Sequence, residues 1–312
     1  MHRWLVLLLS VAVSTLAWGE PVESTAPGRS VQSPLELQVE LHRRGFSCGA
    51  IDGVFGDQTA GALRAFQRGA GLPDTGILDE STRARLPLTA LALGAYRVTA
   101  ADLAELHVVP DTWLGKSELS ALAYESALEF VAERFHAHPN LIRDLNPTVN
   151  WPTISAGTKV IVPDVERVVV SGTPERIVIT LAGHELEVRD ADGRVIAHFP
   201  VSIAGMAEKR PSGDLHVTVA VLRPNYTFDP ALFPESAEAA SLGRKLILPP
   251  GPNNPVGLAW IGLDLPGYGI HGTPEPENVG RTESHGCFRL ANWDVLTLAT
   301  LVHAGMLVTV EP

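Results

Sequence analysis

The residues best suited to chemistry lie near the C-terminal end, in Ile270-His271-Gly272-Thr273 and Thr282-Glu283-Ser284-His285-Gly286-Cys287-Phe288-Arg289-Leu290. A cysteine becomes an effective nucleophile when a neighbouring base takes its proton, and the oxyanion that follows needs N–H donors. His271 and His285 are both candidates for that base. Glycines beside His271 and Cys287 let a substrate backbone approach, and Gly286 exposes its own N–H. Three plainer readings compete. Cys287 as an ordinary core residue fits poorly with so polar a run. Zinc held by His271, His285 and Cys287 lacks a spaced fourth ligand. A disulfide from Cys287 to Cys48 would join two different modules.

These residues need strands to carry them. From Glu166 onward, period-2 runs predict strands at Arg176 to Leu181, Glu185 to Arg189, Val195 to Ile203, Leu215 to Leu222, Leu258 to Leu263 and Met306 to Val310. One late helix, Trp293 to His303, is expected with Asn292 as its cap. The expected fold of 166–312 is therefore mostly β and sandwich-like. The stretch 224–257 is too long for a plain turn and reads as a lid carrying Tyr226, Phe228 and Phe233.

Upstream, Pro34 to Leu86 reads as three short helices, an all-α module. Leu37 and Leu41 give the first helix its apolar face, Asp57 is placed to cap the second, and Asp79 the third. Residues 96–165 mix helices with a strand, Thr158 to Pro163, and form an α/β middle segment. The start is Met1-His2-Arg3, the apolar run Leu5 to Leu16, and Ala17-Trp18-Gly19. This fits a signal peptide over 1–19, because the run is shorter than the roughly 20 residues of a membrane span. A polar spacer, 20–33, follows, and no stable membrane anchor is expected. The net charge of −11 argues against nucleic acid as a partner, and two cysteines exclude a disulfide-dense scaffold.

Three family resemblances follow from these motifs. The block Gly49 to Gly56, with Thr59, Ala62, Phe66-Gln67, Gly71-Leu72 and Gly76, resembles the peptidoglycan-binding domain of wall hydrolases. Tyr96-Arg97-Val98 with Gly157 to Pro163 resembles a degenerate LysM glycan-binding module, although 103–124 is longer than that family's loop. His271-Gly272 followed by Ser284-His285-Gly286-Cys287-Phe288-Arg289 strongly resembles the L,D-transpeptidase (YkuD) catalytic domain. That resemblance implies Cys287 as nucleophile, His271 as base, and the Gly272 carbonyl orienting the imidazole. It further implies Ser284 and His285 shaping the loop, and the Gly286 and Cys287 N–H groups facing the oxyanion. Arg289, Thr273 and Tyr226 are the expected substrate contacts. The implied protein is periplasmic and acts in cell wall organisation and cell shape without a cofactor. Its partners would be peptidoglycan stem peptides and glycan, with another stem or a wall-attached lipoprotein as amine acceptor. An L,D-carboxypeptidase, or a wall-binding protein with a dormant site, is the alternative.

Overall fold

The computed structural model describes residues 28–165, 167–233, 236–282 and 286–312. The expected signal peptide lies outside them. Among the described residues, no helix is long and apolar enough to cross a membrane.

The helical module contains α1 (Pro34–Arg43), α2 (Asp57–Gly69) and α3 (Glu80–Arg85). Ser33 and Asp79 cap α1 and α3 through their side chains, each satisfying an N–H that the first turn leaves open. The cap of α2 is Gly56 rather than Asp57. Asp57 is instead the first helical residue, where its charge still complements the helix dipole. The end of the expected spacer is docked: Val31 is fully buried and Ser30 bridges Pro87.

The middle segment runs β1 (Leu93–Arg97), α4 (Ala100–Ala104), α5 (Trp113–Ser117), α6 (Ala127–Arg134), α7 (Pro139–Leu145) and β2 (Lys159–Pro163). β1 and β2 pair antiparallel, from Leu93↔Pro163 to Arg97↔Lys159. Asn146 ends α7 and ties it to β2: its amide donates to the Ile142 and Ile161 carbonyls and accepts from the Ile161 N–H.

The remaining elements are β3 (Arg176–Thr180), β4 (Glu185–Arg189), β5 (Val195–Pro200), β6 (Gly213–Leu222), β7 (Tyr226–Phe228), α8 (Ala237–Leu242), β8 (Leu246–Leu248), β9 (Ala259–Leu263), β10 (Gly269–His271), β11 (Phe288–Arg289), α9 (Asn292–Leu301) and β12 (Leu307–Glu311). The sandwich expectation is corrected. One eight-stranded sheet, in the order β11-β10-β9-β6-β12-β3-β4-β5, curls on itself. A bulge in β6 at Val217/Val219 lets that long strand pair first with β12 and then with β9. The sheet's two edges then meet, because Ser202, just past β5, exchanges both backbone hydrogen bonds with Arg289 of β11. Its interior is a single apolar core containing Ile177, Val188, Phe199, Ile261, Ile270 and Phe288.

Two further expectations change. Residues 224–257 are not an open lid but a folded unit, with β7 paired to β8 and α8 between them. The long 103–124 stretch covers this unit: Trp113 stacks on Phe228 at 4.3 Å, and Leu122 joins Phe228, Leu246 and Leu248 in a small core. The cap of α9 is Ala291, not Asn292, whose side chain is engaged elsewhere.

The helical module is built into the sheet. β5 is buried on both faces, because α2 covers its outer side and Val195 belongs to the helical core. The turn after α1 covers its open edge, with Ser47 N–H donating to the His198 carbonyl and His198 N–H to that of Gly45. Contact is closest at Gly69, where a Cβ would lie 2.4 Å from the Val195 carbonyl oxygen. Gly69→Ala therefore forces α2 away from β5. The expected cost is about 1–3 kcal/mol of stability, read as a lower urea midpoint for the full chain.

Candidate active site

The site begins with register. β10 and β11 pair in parallel, Ile270 opposite Phe288 and His271 opposite Arg289. Successive strand side chains point to opposite faces, so this pairing sorts the residues. Ile270 and Phe288 enter the core, both essentially inaccessible. His271 and Arg289 take the opposite face, and Cys287, two residues before Arg289, leads into β11 on that same side. The His271 carbonyl accepts from Leu290 N–H at 2.8 Å, which extends the ladder past the strand end.

His271 is 7% exposed. Its Nδ1 is 2.6 Å from the Gly272 carbonyl. A carbonyl only accepts, so Nδ1 carries the hydrogen and Nε2 of the neutral ring keeps its lone pair. Burial lowers the His271 pKa to about 4, and the nearby Arg289 charge adds to the fall. Cys287 is half-buried, its Sγ 3.5 Å from the Gly267 carbonyl, and burial raises its pKa. Burial thus favours the neutral form of each group, the imidazole of His271 and the thiol of Cys287.

The structure also places the other sequence-nominated residues. Tyr226, on β7, is near enough for the Cys287 charge to raise its pKa, after the larger effect of burial. Gly286 faces Tyr268, 3.6 Å from where a Cβ would stand. Arg289 reaches the Thr282 hydroxyl at 3.4 Å. Thr273 is buried, and its hydroxyl accepts from Glu275 N–H, so it holds the turn after β10. Ser284 and His285 lie outside the described residues. Cys48 is buried in the helical module and neither cysteine forms a disulfide.

Two parts of the chain match known families. Residues 174–310 match the L,D-transpeptidase catalytic domain family, and residues 31–86 match a peptidoglycan binding domain family. Residues 174–310 are an L,D-transpeptidase catalytic domain. A Bacillus licheniformis protein named as an L,D-transpeptidase, YkuD, is 29% identical over 185 residues, covering 59% of this chain and 93% of the relative. The Escherichia coli (strain K12) protein YcfS, also named as an L,D-transpeptidase, is 26% identical over 187 residues, covering 59% of this chain and 58% of the relative. A solved L,D-transpeptidase from Mycobacterium smegmatis is 20% identical, with 51% of this chain and 65% of that one covered and a TM-score of 0.35. Neither family match reaches residues 87–173, so the LysM-like reading of that segment gains nothing from them.

The L,D-transpeptidase domain also uses residues that motif reading missed. Trp260 stands opposite His271 in β9 and stacks on its ring at 5.6 Å and 16°. The indole fills the place where a Gly269 side chain would be, its Cζ2 2.6 Å from a Cβ there. Gly269 is therefore the space that allows Trp260 to lie against His271. Asn292 is the second omission. Its Oδ1 accepts from Leu258 and Thr273 N–H groups at 3.0 and 3.2 Å, and Gly257 and Gly272 crowd the same oxygen. The residue order of β9 and β10 carried a signal for Trp260, since both strands alternate toward one face. Nothing in the sequence marked Asn292 as more than a cap.

The pKa directions predict a pH profile. With His271 neutral above about pH 4, the iodoacetamide alkylation rate of Cys287 should show no inflection near 6.5. If the neutral imidazole assists, the rate should keep a flat portion around neutrality that His271→Ala removes, and then rise through alkaline pH beyond the ordinary thiol value, while Cys48 should stay unmodified in the native protein. Peptide mapping by mass spectrometry at each pH checks both outcomes.

Proposed function

We propose that this protein is an exported, periplasmic peptidoglycan L,D-transpeptidase that works through a thioester on Cys287. The observation that carries this reading is the in-register parallel pairing of β10 with β11 inside a domain of the L,D-transpeptidase family. That pairing sends His271, Cys287 and Arg289 to one face and their apolar neighbours to the core.

In the first half-reaction, Nε2 of His271 takes the Cys287 proton as Sγ attacks the carbonyl carbon of the third stem residue. The new C–S bond forms, the amide C–N bond to the terminal D-Ala breaks, and the proton passes to the leaving amine. In the second, the acceptor amine attacks the thioester, the C–S bond breaks, and His271 returns the amine's proton to Sγ. The Gly272 carbonyl holds the imidazole in the tautomer both halves require, the place a carboxylate fills in a triad. The N–H groups of Gly286 and Cys287 serve the oxyanion. Ser284 and His285 shape the loop before it, Arg289 and Tyr226 form the substrate side, and Thr273 holds the turn behind His271. No cofactor takes part.

Residues 34–86 hold the enzyme on the wall, since the peptidoglycan binding match covers them. Residues 1–19 direct export. The acceptor is the amine of a second stem, giving a 3→3 cross-link, with a wall-attached lipoprotein as another candidate. Wall organisation and cell shape are where such cross-links act.

Incubation with a disaccharide-tetrapeptide, followed by mass spectrometry, should give dimers that have lost one D-Ala. Tripeptide without dimer would identify an L,D-carboxypeptidase instead, and no change would leave a wall-binding protein. Cys287→Ala should abolish the covalent adduct formed with a carbapenem in intact-mass spectra. His271→Ala should slow that acylation by about 10²–10⁴-fold, the usual contribution of a general base.

A further inference from the structure

We infer that Glu133, on α6 of the middle segment, is a positioning residue for the His271 base, so the middle segment is a working part of the catalytic domain. The inference rests on the reading of His271 as the base for Cys287. Three linked contacts lead from one to the other.

The Glu133 carboxylate is 6% exposed and takes the Asn292 side-chain amide on both oxygens, each at 3.2 Å. The Tyr124 hydroxyl donates to its Oε1 at 2.9 Å and fixes the carboxylate plane. The Asn292 amide is fully buried, and its Nδ2 also donates to the Pro252 carbonyl at 3.2 Å. A carboxylate and a carbonyl only accept, so both demand the NH₂ end of Asn292. That demand sends Oδ1 the other way, toward the Leu258 and Thr273 N–H groups.

Those two N–H groups follow Gly257 and Gly272, which lie against the same Oδ1 with no room for a side chain. Asn292 thus clamps the start of β9 to the turn after β10. The clamped peptide includes the Gly272 carbonyl that holds Nδ1 of His271. An amide that loses its carboxylate partner can flip, presenting NH₂ to two N–H donors and loosening that carbonyl. Nearby groups on the middle segment share this interface, since Glu129 accepts from Asn253 and His136 stacks on Trp293. Burial raises the Glu133 pKa to about 7, which agrees with a carboxyl held away from water.

The test uses the full chain with Glu133→Met, which keeps volume and removes both acceptor oxygens, and Glu133→Gln, which keeps one. His271→Ala serves as the reference. The readouts are the pH profile of Cys287 alkylation by iodoacetamide and the rate of carbapenem acylation, both well below each variant's melting temperature. Glu133→Met should slow acylation roughly tenfold to a hundredfold, the scale on which small displacements of a reacting group act. It should move the alkylation profile toward that of His271→Ala. Glu133→Gln should restore both, because its amide oxygen can still receive Asn292 while its NH₂ faces the Tyr124 hydroxyl. Wild-type rate and profile in folded Glu133→Met would overturn the inference. Should that variant not fold, Tyr124→Phe decides: slowed acylation supports the inference and an unchanged rate overturns it. If His271→Ala itself alkylates with the wild-type profile, the base assignment fails. A changed profile there with none in Glu133→Met defeats only the role of Glu133.

Discussion

The register between β10 and β11 governs this site. Parallel neighbours placed Ile270 against Phe288 have no freedom over which residues face outward. A slip of one residue would turn His271 into the core and bring Ile270 to solvent, losing the burial of two large apolar side chains. The core therefore orders this face: the apolar partners that hold the two strands together also send His271 and Arg289 to one side. Closure of the sheet through Ser202 and Arg289 pins β11, a strand of only two residues, from its far edge.

Burial then sets the electrostatics. His271 packs between Trp260 and a backbone carbonyl, where the charged ring is costly and the neutral ring is held in one tautomer. Cys287 stays a thiol for the same reason. Both groups favour the neutral form, in contrast to a preformed thiolate at an electropositive surface.

The three segments of the chain are not beads on a string. α2 lies across β5, with Arg68 paired to Glu187 of β4, and Ser47 donates to the buried Asp294 of α9 at 2.9 Å. The middle segment is tied in by Leu122 N–H to the Pro250 carbonyl and by Glu133 to Asn292. Its long 103–124 stretch, an irregularity beside the LysM pattern, covers the β7–β8 unit that brings Tyr226 toward Cys287. Removing either segment would expose apolar surface and orphan buried polar groups of the catalytic domain.

Much of this was legible in the amino-acid order. Period-2 runs located six of the eight strands of the curled sheet, and turn glycines with Asp79 marked the helical module, because these signals depend on neighbours within a few residues; β10 and β11, of three and two residues, are too short to show a period. His271-Gly272 with the run from Ser284 to Arg289 pointed to the L,D-transpeptidase catalytic domain, since most of that motif is contiguous in the chain. Tertiary structure alone decided the rest. Asn292 reads locally as a cap, and its role depends on carbonyls and amides contributed by Pro252, Leu258 and Thr273. Glu133 reads as one more charge on an amphipathic helix, and only the docking of α6 against α9 buries it on that amide. One sheet rather than two follows from a bulge in β6 and a bridge between residues far apart in sequence. Local order determines which residues can do chemistry. Long-range hydrogen bonds, available only once the chain has folded, decide which of their neighbours hold them in place.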